Sequence, residues 1–309
     1  MKKGIIFAST ANILWCLLPL YLKLLQDVAP IEILLHRMIW SLVFVVIILS
    51  FKRHFTWLNS VIRSPKIILT FALSAFCIAL NWFTYIWAVN SNHVVDASLG
   101  YFIAPLMNVI MGYFLLQERM RATQWFAIAV AAFGVLWLIV QAGQIPWIAF
   151  VLATTFGLYG LLRKTAKLES LEGLSLETAI LAPFALVWLI SMSYNNQSSF
   201  ILGSGSTKLL LMLAGPITAI PLLFFSAATR RIPLYLLGLL QYVTPTGQML
   251  LGLVVWHEPF SADKVIGFAI IWTSLAIYSA ESVWFHKKLI FIPTATFKNK
   301  LNKFLLKKR

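Results

Sequence analysis

Charge is scarce in this chain. Of its 309 residues only 11% are Asp, Glu, Lys or Arg, against 60% apolar, and the mean hydropathy is +0.85. So little polar surface cannot cover a core of this size, which excludes an ordinary water-soluble domain. Acidic residues are the rarer sign, 10 against 25 basic ones, for a formal net charge of +15. That excess alone would suggest nucleic acid, but the basic residues stand in short clusters between apolar runs and in a tail, the distribution that orients membrane helices. Cysteine is nearly missing: Cys16 and Cys77 each lie inside an apolar run and read as small buried hydrophobes, not as a disulfide or a metal site. Also missing are a G-x-x-x-x-G-K-[ST] loop, an H-E-x-x-H pair, Cys and His clusters at metal spacing, and a recognisable nucleophile motif. These gaps argue against ATP-driven transport by this chain alone, and no catalytic residue, metal or other cofactor is expected.

What the chain has in abundance is long apolar runs. A helix needs roughly 20 apolar residues to cross the hydrocarbon. Ten runs meet that measure: Gly4 to Leu25, Ile31 to Phe51, Ile67 to Val89, Val94 to Leu116, Ala122 to Val140, Pro146 to Leu162, Ser175 to Tyr194, Leu209 to Thr229, Tyr235 to Trp256 and Val265 to Phe285. The sixth is short and carries Thr154, Thr155 and Gly157. The first follows Met1 to Lys3 as a signal peptide would, yet it is longer than the ~7 to 15 residues of a signal core, so it counts as a span. With the N-terminus inside, 21 of the 25 basic residues fall on the cytoplasmic side. The expected fold is therefore an all-α integral membrane protein of ten transmembrane helices with both termini cytoplasmic.

A skeleton of proline, glycine and glutamate recurs. Pro105, Gly112 and Glu118 reappear 140 residues later as Pro245, Gly252 and Glu258, and the same shift pairs Glu32 with Glu172, Lys23 with Arg163 and Asn108 with Gln248. Residues 4–142 and 145–285 then form two five-span repeats, with a basic cytoplasmic tail at 286–309. An odd number of spans per repeat puts the halves in opposite orientations, the inverted repeat of many secondary transporters. Each proline frees a carbonyl four residues back, of Tyr101 and of Gln241, which is tolerated in a membrane only where protein or a water-filled cavity satisfies it. Pro105 and Pro245 are accordingly expected to bend their helices toward a shared midplane cavity.

The polar residues within the spans supply the candidate site. Arg37 lies ~9 Å into the second span at ~1.5 Å per residue, deep enough to need a partner or a water-filled cavity. It is open to four roles: binding an anionic substrate group, pairing with an acid of a transport cycle, a structural pair with Glu32 or Asp96, or simple snorkelling. His36 and Asp96 are candidates for proton coupling. Asn81, Trp82 and Tyr85 on the third span suit an amphipathic organic molecule, or else anchor at the interface. Tyr101, Asn108, Gln241 and Gln248 complete the expected substrate-binding set. Ala127, Ala131 and Gly134 mark a helix-packing face.

The stretches EILLHRMIWS at Glu32 to Ser41, NWFTYIWAVNSNHVVDASLGYFIAPLMN at Asn81 to Asn108, LYGLLRK at Leu158 to Lys164 and GLSLETAILAP at Gly173 to Pro183 resemble the RarD-type proteins of the EamA family, within the drug/metabolite transporter superfamily. The resemblance spans nearly all of Gly4 to Phe285. It implies a bacterial inner-membrane protein of two EamA repeats that exports or exchanges small organic molecules, metabolites or drugs. The tail beyond Phe285 is longer than the family pattern. The expected partners are a small-molecule substrate and the lipid bilayer, with no nucleic acid. The competing readings are a passive channel and, less well supported, a membrane-embedded enzyme. No residue names the substrate, the direction, the coupling ion or the oligomeric state.

Overall fold

Long apolar runs have one way to satisfy their own backbone polar groups away from water, which is to coil into helices. The computed structural model describes residues 1–90, 94–143, 147–255 and 262–290, apart from the side chains of residues 89, 90, 94–98, 142, 264 and 282–290. Among the described residues all regular elements are α-helical: α1 (Lys2–Lys23), α2 (Pro30–Lys52), α3 (Trp57–Ile62), α4 (Pro65–Asn90), α5 (Val94–Phe114), α6 (Ala122–Ala142), α7 (Trp147–Thr165), α8 (Ser170–Tyr194), α9 (Ser199–Leu202), α10 (Gly205–Thr229), α11 (Leu234–Gln241), α12 (Val243–Val255) and α13 (Ala262–Ile290). By length and composition α1, α2, α4, α6, α8 and α10 are able to cross a membrane, and Leu99–Phe114 and Val265–Glu281 are shorter apolar stretches. Large apolar side chains stand on the outside of the bundle, among them Phe114, Phe133, Phe184, Val187 and Val254, each more than half exposed. An outer surface of this kind suits lipid.

Helix boundaries carry local signals. Pro30 opens α2 at a position where its missing N–H costs nothing. The Ser204 hydroxyl accepts from the Thr207 amide at 3.2 Å to cap α10. Gly143, at φ 73°, ends α6 in the left-handed region.

The 140-residue shift reaches the element boundaries. Pro65 opens α4 and Gly205 opens α10; Val94 opens α5 and Leu234 opens α11; Ala122 opens α6 and Ala262 opens α13. Packing partners exchange in the same way. α5 packs on α7 as α1 packs on α11 and α12, α4 on α7 as α1 on α10, α2 on α10 as α8 on α4, and α6 on α13. Equivalent positions meet directly where the Tyr242 hydroxyl donates to the Phe102 carbonyl at 3.3 Å. The expected packing face of the fifth span meets α13: Ala127 and Ala131 are fully buried, and the Ala127 carbonyl accepts from the Ser274 hydroxyl at 2.6 Å.

Two short helices lie in connections where none is expected, and each is held by a glutamate of the opposite half. Glu32 accepts from the amides of Ser199 and Phe200 and from the Ser198 hydroxyl, all at 3.0 Å, placing a carboxylate at the start of α9. Glu172, its equivalent at the shift of 140, lies 2.7 Å from His54, just ahead of α3. Glu32 is thereby occupied, and the structural pair with Arg37 weighed above does not form.

The Pro-Gly-Glu skeleton also has a structural reason. The chain leaves α5 through a turn in which Gln117 takes φ 52° and the Glu118 amide donates to the Gly112 carbonyl at 2.9 Å. The Glu118 carboxylate then accepts from the amides of Leu234 at 2.8 Å and Tyr235 at 3.2 Å, capping α11, with Lys164 Nζ 3.5 Å away. A Cβ at Gly112 would stand 2.6 Å from Glu118 Oε2. Gly112→Ala should therefore displace the cap and lower unfolding stability by about 1–3 kcal/mol, read from unfolding in detergent, whereas a mere flexibility role for Gly112 predicts no loss. Glu258 lies outside the described residues.

Candidate binding cavity

The bend is asymmetric. α5 continues through Pro105 without interruption, whereas the expected ninth span is split at Tyr242 into α11 and α12, three residues before Pro245. α1 meets the start of α12: the Cys16 thiol donates to the Val243 carbonyl at 3.3 Å, and the Thr244 hydroxyl donates to Asn12 Oδ1 at 2.9 Å. Gly247 allows this approach, because a Cβ there would lie 2.8 Å from Cys16 Cβ. Cys16 and Cys77 are both free and buried, as hydrophobes of their size should be.

Beside the break lies a cavity of about 170 Å³ walled by α1, α2, α4, α5, α7, α10, α11 and α12. Arg37, Asn81, Trp82, Tyr85, Tyr101, Gln241, Gln248 and Pro245 of the sequence-derived set line it. Arg37 Nε donates to Thr218 Oγ1 at 2.8 Å, and its guanidinium lies 4.8 Å from the centroid of the Trp82 ring. Among the described residues no carboxylate is within ion-pairing distance of Arg37. The amide of Asn81 bridges to α7, donating to the Leu152 carbonyl at 2.8 Å and to Thr155 Oγ1 at 3.0 Å. Tyr85 and Tyr101 meet edge to face, ring centroids 6.0 Å apart. Gln248 Nε2 donates to the Trp15 carbonyl at 3.2 Å.

Three expected residues stand elsewhere. Asn108 is fully buried at the contact of α5 with α11, where Gly238 lies against the Pro105 carbonyl and Asn108 Cβ, and it donates through Nδ2 to Gln241 Oε1 at 2.5 Å. Pro105 sits at that same helix contact and does not line the cavity. His36 does not line the cavity: its ring meets Phe200 at a tilt, centroids 4.8 Å apart, its Nδ1 accepts from Trp40 Nε1 at 3.2 Å, and its Nε2 lies 3.9 Å from Glu32. The side chain of Asp96 lies outside the described residues. Conversely, Asn12, Trp15, Phe156, Thr218 and Thr244 line the cavity without having been singled out. Asn12 alone had a legible signal, a lone amide in an apolar run; threonines and aromatics are too common in such runs to stand out.

A buried polar cluster joins α4, α7, α8 and α10. Arg163 Nε donates to Ser226 Oγ at 2.7 Å, Nη2 donates to Ser226 Oγ and to the Ser170 carbonyl, and Nη1 stands 3.6 Å from Glu177 Oε1. Glu177 accepts from Ser74 Oγ at 2.5 Å and from the Tyr159 hydroxyl at 3.4 Å.

The geometry is that of a membrane bundle with a central polar and aromatic cavity, and comparison with known proteins decides the family. The "Protein RarD" of Escherichia coli is 40% identical over 287 residues, covering 93% of this chain and 97% of that protein. The chain belongs to the EamA-like transporter family. The profile of that family matches residues 2–140. Uncharacterized transporters of Pseudomonas aeruginosa and Bacillus subtilis are 42% and 44% identical, each across 91% of this chain and 95% of the relative. One solved crystal structure, 22% identical over 89% of this chain and 96% of its own, superposes with a TM-score of 0.65 and so shares the fold. This EamA-family chain is thus a multi-pass membrane protein of a transporter family.

Proposed function

We propose that this EamA-family protein is a secondary transporter that moves a small organic anion by alternating access across the bacterial inner membrane. It does so through ten spanning helices in two inverted five-helix repeats, with both termini cytoplasmic. The repeat is supported by the shared helix boundaries and the exchanged packing partners at a shift of 140 residues. The orientation is supported by the basic residues, 21 of 25 of which fall on one side.

The observation that carries the reading is the cavity itself, polar and aromatic, built from both halves beside a broken helix. Its cation has no protein counter-ion among the described residues, so an anionic group of the substrate supplies one. At about 170 Å³ the space is smaller than the roughly 300–1,000 Å³ typical of drug-sized ligands. A compact metabolite fits better than a large drug. In this orientation the cavity occupies the midplane and outer half, while the Arg163 and Glu177 cluster closes the inner half.

A panel of metabolites screened by thermal stabilisation of the purified protein names the substrate, and proteoliposomes then test the mechanism. A carrier loaded with that metabolite should accumulate labelled metabolite transiently against its gradient by counterflow. Downhill flux without counterflow would make the protein a channel. For orientation, Gly205→Cys should react with an impermeant thiol reagent from outside and Ser60→Cys should not; the reverse pattern inverts the topology.

A further inference from the structure

A second cavity has no part in this transport reading. It is a crevice of about 450 Å³ between α1, α2, α8 and α10. Phe44 and Ile48 of α2 face Ile220, Leu223 and Phe224 of α10 across it. Its mouth carries Lys52, Arg230 and Arg231 at the ends of the same two helices, with Glu169 as the opposing charge. Ile220 and Arg231 are eleven positions apart, ~16 Å at ~1.5 Å per residue, about half the ~30 Å of the hydrocarbon core.

We propose that this crevice is a binding site for an anionic phospholipid of the cytoplasmic leaflet. An apolar wall one leaflet deep with cations at its mouth is complementary to one acyl chain and one phosphate headgroup. A soluble anion would match the mouth alone and leave the wall unused. The two arginines are held in place, and all three cations lack a counter-ion among the described residues. Arg231 Nη1 donates to the Ala227 carbonyl at 2.7 Å and its guanidinium lies 5.3 Å from the Phe7 ring, while Arg230 Nη1 donates to the Leu168 carbonyl at 2.5 Å. None of the three has a carboxylate within ion-pairing distance among the described residues, and Lys52 makes no side-chain hydrogen bond there. Glu169, the N-cap residue of α8, is not within ion-pairing distance of any of the three. A phosphate bound here would meet up to three cations at once.

The leaflet assignment rests on the orientation proposed above; the binding does not. The full-length protein in mild detergent, mixed with phosphatidylglycerol or phosphatidylcholine and read by native mass spectrometry, should retain one phosphatidylglycerol and no phosphatidylcholine. Lys52→Gln should lower that occupancy about fivefold and the Lys52→Gln/Arg230→Gln/Arg231→Gln variant on the order of a hundredfold. Equal charge removal at Arg63, Lys66 and Arg119 should leave it unchanged. Because Lys52 supports no contact in the fold, the single variant stays informative if the triple one misfolds. Equal retention of both lipids, undiminished retention in Lys52→Gln, or displacement by excess inorganic phosphate would each overturn the site. Micelles have no inside, so if the cysteine labelling inverts while this result holds, the site stands and moves to the outer leaflet.

Discussion

Glu177→Leu should lower the unfolding free energy of this protein by about 3–5 kcal/mol, the cost of leaving a buried cation without its partner. Arg163 is 1% exposed and Glu177 also 1%, so neither can turn to water when the other is lost. Arg163 Nη1 has no partner closer than Glu177. The pair joins α7 to α8, and through Ser74 and Ser226 it reaches α4 and α10, so the penalty falls on the contact between the two halves of the chain. The fold accommodates the guanidinium by means of Gly173, whose missing Cβ leaves the space that Arg163 Nη1 and the Phe71 ring occupy. The joint replacement Arg163→Met/Glu177→Leu removes both charges and should recover most of the loss, because an apolar pair of similar volume carries no desolvation cost. Unfolding in mixed micelles decides between the possibilities. A Glu177→Leu protein as stable as the parent, or a double variant no better than the single one, would show that the charge pairing carries no weight.

Neither this cluster nor the lipid crevice was legible in the sequence, and the reason is physical. Helices were legible because a run of apolar residues has one way to satisfy its backbone in lipid, and each of the ten runs has its helix or, for the ninth, a pair of helices. The 140-residue correspondence was legible because shared residues at a fixed shift survive without knowledge of contacts. Contacts themselves depend on which face a helix turns, and that is set by packing across more than a hundred residues of separation. Arg163 follows an apolar run and precedes a lysine, so it counts as a loop cation until α8 and α10 are seen to fold over it. Asn108 and Gln248 are equivalent in the repeat, yet one is bonded to Gln241 in the core and the other lines the cavity. The break at Tyr242 is legible from Pro245 in kind, but its restriction to one copy is not, since Pro105 carries the same local signal.

Arg37 lines the cavity, and its replacement should have the largest effect on binding. Thr218 accepts from its Nε, the Trp82 ring centroid lies 4.8 Å from its guanidinium carbon, and the residue lines the cavity. A substrate carboxylate or phosphate can meet the guanidinium plane with two parallel hydrogen bonds, which a lysine ammonium cannot reproduce. Hydrogen bonds to a charged group contribute about 1.5–3 kcal/mol in protein settings, so Arg37→Gln should weaken binding of an anionic metabolite by roughly 10- to 150-fold. Arg37→Lys keeps the charge and loses the fork and the stacking, and should fall between the two. Thr218→Val leaves charge and shape in place but frees the guanidinium to swing, so its loss should be smaller than that of Arg37→Gln. The measurement is the thermal stabilisation conferred by the metabolite that the screen identifies, compared across the parent and these three variants at equal folded protein. If the stabilising compound proves neutral or cationic, or if Arg37→Gln responds to it as the parent does, the guanidinium is not the anion's seat and belongs instead to the packing between α2 and α10.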